Sequence, residues 1–187
     1  MAALGAAGCL GTGPKAPANW TIEIARAGAA APAGGSGAGL PAVRVASVGV
    51  RPPYDGTRLA VLRPDGSIAF DSFNVFAAPP AQILRGTVQD ALEAAGAQTV
   101  AANSQAQAAA SVEAVVTRIA LDCREKDRRD AVVELTLALV EGRRVKASAK
   151  GEGRAGTDGG DYSAAFSRAF ASAMEAAVQK LAGGGKR

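Results

Sequence analysis

The sequence predicts an α+β fold: a mostly antiparallel sheet with two amphipathic helices packed on one face. Three observations carry this expectation. Several blocks alternate apolar and polar residues with the period of a half-buried strand. Two stretches repeat apolar residues at three- and four-residue spacing, as one face of a helix does. The blocks fall in the order strands, helix, strands, helix, with short turn signals between neighbouring strands, the pattern of antiparallel meanders.

Taken in order, Trp20, Ile22 and Ile24 alternate with Thr21, Glu23 and Ala25 as a short first strand. Val43, Val45 and Ser47 alternate with Arg44 and Ala46, and this second strand must end at Arg51-Pro52-Pro53, since prolines cannot donate to a ladder. Arg58–Arg63 and Ser67–Phe73 flank Pro64-Asp65-Gly66, a hairpin in which Pro presets the turn and Gly supplies a positive φ. Pro79-Pro80 opens the first helix, where a missing N–H costs nothing. Leu84, Val88, Ala91, Leu92 and Ala95 form its apolar face, and Gly96 stands where a left-handed C-terminal cap belongs.

Beyond this helix, Thr99–Ala102 reads as a short strand and Asn103–Gln107 as a polar loop. Val115, Thr117, Ile119, Leu121 and Cys123 are then expected on one face of a longer strand. Val133, Leu135, Leu137 and Leu139 alternate in the next, with the charged run 122–130 as the solvated turn between them. A third strand, Arg143–Lys150, follows the turn at Glu141-Gly142. Finally, Tyr162, Phe166, Phe170, Met174 and Val178 recur every four residues, with Leu181 extending the stripe, as the buried face of a second helix.

Composition narrows the function classes. The chain has 187 residues, 48% hydrophobic, 20% charged and 4% aromatic, with two Cys and no His. That length suits one domain with a tail, since domains run to roughly 100–200 residues. Without His, the Ser-His and Cys-His nucleophile systems and His-ligated metal sites cannot be built from this chain. No apolar run reaches the length of a membrane-spanning helix. The net charge of +4 is spread over runs of alternating sign, and the few aromatics are scattered, so nucleic acid is not an expected partner.

Glycine and acidic motifs read as structural. Gly151-Glu152-Gly153-Arg154-Ala155-Gly156 matches G-x-G-x-x-G, but it follows an antiparallel-type strand and no helix begins directly after it. A dinucleotide loop needs the opposite context, so the motif reads as a loose strand end. Gly183-Gly184-Gly185-Lys186 lacks the preceding strand and the following Ser or Thr of a phosphate loop. Asp55, Asp65 and Asp71 sit in or beside turns, where capping is their expected work rather than acid–base chemistry. No catalytic, cofactor-binding or metal-ligating residue is assigned, and no cofactor is expected.

The N-terminus carries the one candidate modification site. In Met1–Leu10 a short apolar stretch ends in Ala7-Gly8-Cys9, small residues directly before a thiol. This resembles the end of a bacterial lipoprotein signal peptide, and the resemblance implies Cys9 as the lipid attachment residue. Two features depart from that pattern: Ala6 replaces the usual Leu, and no Lys or Arg precedes the apolar stretch. Residues 1–9 are therefore read as a signal remnant with its lipobox and 10–18 as a tether. Residues 19–182 form the domain, 27–40 a flexible loop within it, and 183–187 a disordered tail. Each buried acyl methylene contributes roughly 0.8 kcal/mol, so several chains would hold the domain at a membrane surface.

Several blocks also carry a family resemblance: Gly8-Cys9 with its Pro-containing tether, Trp20-Thr21-Ile22-Glu23-Ile24, and Val45 to Asp55 (VASVGVRPPYD). Leu59 to Ile68 (LAVLRPDGSI) and Phe76-Ala77-Ala78-Pro79 continue it. In these blocks and in the order of its elements, the chain resembles the auxiliary lipoproteins of bacterial ABC transporters, the PqiC-like family. Phe76 stands where that family commonly has Trp.

The resemblance implies a domain anchored by lipid on the periplasmic face of the outer membrane. Its implied partners are an ABC permease and an MCE-type substrate-binding protein moving lipids or other hydrophobic compounds. It implies docking rather than catalysis, and a homo-oligomer is compatible with that role. The alternative is a soluble or lipidated envelope-assembly binding domain unconnected to a transporter. For a docking edge, the strand near 143–150 is the candidate, by addition of a partner strand.

Overall fold

The structure is a computed structural model and describes residues 20–25, 40–101, 104, 108–157 and 160–183. Cys9, the 10–18 tether, residues 27–39 of the expected loop and residues 184–187 of the expected tail lie outside these. Among the described residues, seven strands and two helices follow one another. They are β1 (Trp20–Ile22), β2 (Val43–Val50), β3 (Arg58–Leu62), β4 (Ile68–Phe76), α1 (Pro80–Ala94), β5 (Ala110–Asp122), β6 (Asp130–Glu141), β7 (Arg144–Gly156) and α2 (Tyr162–Gly183). Gly183, expected in the tail, is the last residue of α2.

The class is α+β, but the sheet is mixed rather than mostly antiparallel. Antiparallel pairing joins β3–β4, β5–β6 and β6–β7, whereas β1–β4, β2–β5 and β3–β5 are parallel. The reason lies along one side of β5. There β2 pairs with its first half, from Val43↔Ala110 to Val50↔Val116, and β3 with its far end, from Ala60↔Ala120 to Leu62↔Asp122. Pro52-Pro53 stops β2, a tight turn bonds Tyr54 N to Arg51 O (3.0 Å), and the chain rejoins the same side of β5 in the same direction. Two separate strands of the sequence pattern, β2 and β3, thus lie end to end along one side of β5.

Local signals hold where they depend on a few neighbouring residues. Gly66 has φ +82° in the β3–β4 turn, and Gly66 N bonds Arg63 O at 2.9 Å. At the end of α1, Gly96 has φ +84° and its N–H bonds Glu93 O, while Ala97 N bonds Leu92 O. That is the paired hydrogen-bond pattern of a left-handed cap. Thr99 makes an isolated bridge to Val43, and residues 100 and 101 are not strand. Residue 102 of the expected strand and most of the expected loop 103–107 lie outside the described residues.

The face assignment expected for β5 is corrected at its middle. Register shifts between Val116 and Arg118, so one residue is inserted and the alternation changes phase. Before the bulge Val112, Ala114 and Val116 are buried; after it Ile119 and Leu121 are. Their partners Leu139, Leu137, Leu135, Val133 and Ala131 put all five on one face. Val115 and Thr117, expected on that face, are only half-buried.

α2 packs on β6 and β7, α1 packs on β2, and the two helices touch. The predicted stripe of α2 is core: Phe166, Phe170, Met174, Val178 and Leu181 are buried, and Phe166 meets Phe76 edge-on, centroids 5.5 Å apart. Between them Ala165, Ala169, Ala173 and Ala177 are also fully buried. They face Gly151 and Gly153, at which any Cβ would overlap the carbonyl oxygens of Ala173 and Ala169. The G-x-G-x-x-G run is therefore regular strand, glycine-rich because the helix backbone lies directly on it. Past β1, Glu23 N and Ala25 N bond Ser163 Oγ (3.1 Å) and Ser167 Oγ (2.9 Å), laying the chain along the start of α2.

Candidate functional site

Residues directly opposite in paired strands share a face, so the register identifies what the sheet presents on the side away from α2. Ser111, Glu113, Val115, Arg118, Ala120 and Asp122 of β5 stand there beside even-numbered residues of β6. Lys150, Glu152 and Arg154 of β7 continue the rows. This face is exposed or half-buried along most of its length, and Arg118 pairs with Glu134 across it at 2.6 Å.

At one end of this face the charged run 122–130 proves less solvated than expected. Its first and last residues, Asp122 and Asp130, sit opposite each other and are 6% and 2% exposed. Arg154 bridges them, with Nη2 to Asp122 Oδ2 at 3.0 Å and Nη1 to Asp130 Oδ2 at 2.9 Å. Arg124 grips Asp122 with Nε and Nη2 (2.9 and 2.7 Å), and Arg128 Nε reaches Asp130 Oδ2 at 2.9 Å. The Arg124 guanidinium holds the Asp122 carboxyl far below the usual carboxylate range, against the opposing effect of burial. Two buried anions with three cations form a closed clasp at the base of the turn. Alternating charges betray a turn in the sequence, but not which of its carboxylates fold under.

Of the other acids expected to be structural, Asp65 and Asp71 do cap turns. Asp65 accepts Ser67 Oγ (2.7 Å) and Ser67 N (2.9 Å), which hold its carboxyl below the usual range. Burial disfavours ionised Asp71, but Phe73 N, Asn74 N and Asn74 Nδ2 all donate to it and bring its carboxyl down. Carboxylates so engaged are poor proton donors near neutrality. Among the described residues, no group of three or more His, Cys, Asp or Glu is placed to hold a metal ion.

Cys123 lies just past β5, half-buried, with its N–H on Leu62 O at 3.0 Å. Burial pushes its thiol pKa up. It lines an open cleft of ≈ 410 Å³ with Val61, Leu121, Asp71, Arg129 and Tyr162. A raised pKa leaves the thiol protonated and unreactive at neutral pH.

Two surfaces remain for contact with other molecules. The first is β4, where Ile68, Phe70 and Phe73 are 40, 37 and 47% exposed and the Arg58 guanidinium lies 5.2 Å from the Phe70 ring centre. Ile68 and Phe70 pair regularly with Leu62 and Ala60, whereas Phe73 lies in the stretch 71–74 where the β3–β4 register shifts and Asp71 accepts Phe73 N and Asn74 N. Periodicity alone does not reveal this patch, because alternation along β4 does not say which of its two faces the rest of the fold leaves uncovered. The second is the candidate edge 143–150 on β7, the terminal strand of the sheet. Part of that edge is occupied: Lys180 Nζ bonds Lys150 O and Arg168 Nη2 bonds Gly156 O, each at 2.9 Å.

Comparison with known proteins matches this architecture. The fold resembles the crystal structure of protein XCC0632 from Xanthomonas campestris, assigned to DUF330, with a TM-score of 0.59 at 22% identity. That likeness covers 78% of this chain and 83% of the other. A second crystal structure, of an uncharacterised protein, aligns with a TM-score of 0.52 at 17% identity, over 76% of this chain and 82% of that one. Among curated proteins, none matches the sequence. A family model for the ABC-type transport auxiliary lipoprotein component matches residues 20–183, from the first residue of β1 to the last of α2, and the chain belongs to that family.

Proposed function

We propose that the protein is a lipid-anchored, non-enzymatic component that docks an MCE-type substrate-binding protein of an ABC transport system at the periplasmic face of the outer membrane. Cys9 is the anchor and residues 10–18 are the tether. The cargo class is lipids or other hydrophobic compounds, handled by the partners rather than by this chain. The observation that carries the docking reading is the β4 surface. Three large apolar side chains stand exposed on one strand of a domain whose buried carboxylates are all committed to ion pairs. Clustered exposed aromatics mark partner surfaces.

The deciding experiment is purification of the native protein from bacterial envelopes, with mass spectrometry of its N-terminus. The expected result is an acylated Cys9 and co-purification of the permease and the MCE-type component. Mature protein with an unmodified Cys9 overturns the anchor. An acylated protein that never co-purifies with transporter components overturns the docking role.

A further inference from the structure

We propose that the β6–β7 hairpin and the adjoining end of α2 form a contact surface for the phosphate head groups of an anionic lipid bilayer. The turn is built for exposure. Gly142, at φ +60°, and Arg143 are its two central residues, and Glu141 pairs with Arg144 beneath them. Arg143, Arg144 and Lys146 are all exposed there, and Lys150 and Lys180 extend the patch along the β7 edge.

Lys180 joins the patch because α2 runs antiparallel to β7, with Ala169 over Gly153 and Ala177 beside Gly151. That packing brings the last turn of α2 alongside the strand. Against five cations stand Glu141, bound to Lys146 at 3.1 Å, and exposed Glu152, two residues past Lys150 and away from the turn. Glu175 stands further back on α2 and is engaged by Gln179. Among these cations is Val145, 63% exposed and the most exposed large apolar side chain among the described residues. A lone apolar residue flanked by Lys and Arg suits a membrane interface, where the apolar group enters and the cations stay at phosphate level.

The geometry favours a bilayer over a partner strand. Outward carbonyls at Lys150 and Gly156 already accept side-chain bonds, which closes that part of the edge. Over the open part, register shifts between Leu139 and Val140, leaving Lys146 unpaired between Val145 and Ala147. Bulges and lysines on an edge strand oppose strand addition. A surface of mobile phosphates needs charge but no backbone register.

This inference is independent of the anchor, so the test uses the full chain carrying Cys9→Ser, which cannot be acylated. Its co-sedimentation is measured with phosphatidylcholine vesicles, with and without about 30% phosphatidylglycerol. Binding is expected only to the anionic vesicles and is expected to fade as salt rises from about 50 to about 500 mM. The Arg143→Ser/Arg144→Ser double variant should bind about twenty-five-fold more weakly, at about fivefold per cation.

Lys126→Ser/Arg129→Ser, which removes two cations at the opposite end of β6, should bind as the parent does, and melting of all variants should be unchanged. Equal binding to both vesicle types, or no loss in the double variant, overturns the proposal. So does binding to immobilised polyglutamate without binding to anionic vesicles, which would assign the patch to an acidic protein.

Discussion

The α2–β7 seam and the β4 edge solve opposite problems with the same sheet. At the seam, Gly151 and Gly153 remove side chains so that the backbone of α2 can lie on the strand through Ala169 and Ala173. At β4, the three-residue strand β1 pairs with Asn74–Phe76 among the described residues, and Ile68, Phe70 and Phe73 are exposed. The seam is built from small residues with no spare volume; the edge is built from large residues with spare surface. A region whose shape is set by close contact cannot absorb substitution, whereas a region exposed to solvent can, and only the latter is free to meet a partner.

That contrast is open to direct attack. Phe166→Ala, removing a fully buried ring that packs on Phe76, should cost about 3–5 kcal/mol of unfolding free energy, read from denaturant titration. A loss below about 1 kcal/mol would show that α2 is not the centre of the core. Gly153→Ala should cost about 1–3 kcal/mol because one added methyl must push α2 off the sheet. Its control is Gly49→Ala, where the new methyl meets nothing within 4 Å and stability should move by less than about 0.5 kcal/mol. Equal losses in the two variants would refute the close seam.

The clasp at the far end of the sheet gives a smaller, pH-dependent effect. In the folded protein the Asp122 carboxyl is depressed, so the unfolded chain takes up its proton first as pH falls. Its contribution is complete above the ordinary carboxylate range near pH 4 and is lost progressively in stronger acid. Asp122→Asn should therefore cost roughly 1–2 kcal/mol at neutral pH, since its arginines are partly solvated, and should flatten the acid limb of the stability profile. A variant whose acid limb matches the parent would exclude the clasp as its source.

The smallest effect on stability is expected at the edge: Phe70→Ser/Phe73→Ser should shift unfolding by within about 0.5 kcal/mol for each exposed position. The same variant should lose co-purification of the MCE-type component from envelopes. Retained co-purification would move the docking surface elsewhere.

How far the sequence could be read depended on the range of each interaction. The two hairpin turns, the Pro79-Pro80 start, the Gly96 cap and the α2 stripe all follow from residues within a turn or two of each other. The β5 alternation was legible after Thr117, at Ile119 and Leu121, but out of phase before it, because a bulge leaves no mark on composition. The glycine run was legible only as an odd strand end, since its reason is a helix lying about 20 residues further on. Of the candidate site, the Cys9 expectation rests on Ala7-Gly8 in the sequence, whereas the β4 patch needed the tertiary structure, which alone shows what the fold leaves uncovered.

By itself the sequence determined the α+β class, nearly every element and the family, because propensity, turn chemistry and helical periodicity are local and act on contiguous residues. Tertiary structure alone decided the mixed sheet, with β2 and β3 collinear along β5, and the burial of Asp122 and Asp130 beneath Arg154. It also decided which strands were left with an open edge. Those features depend on which distant segments meet, and pairing direction and burial are properties of the partner as much as of the residue.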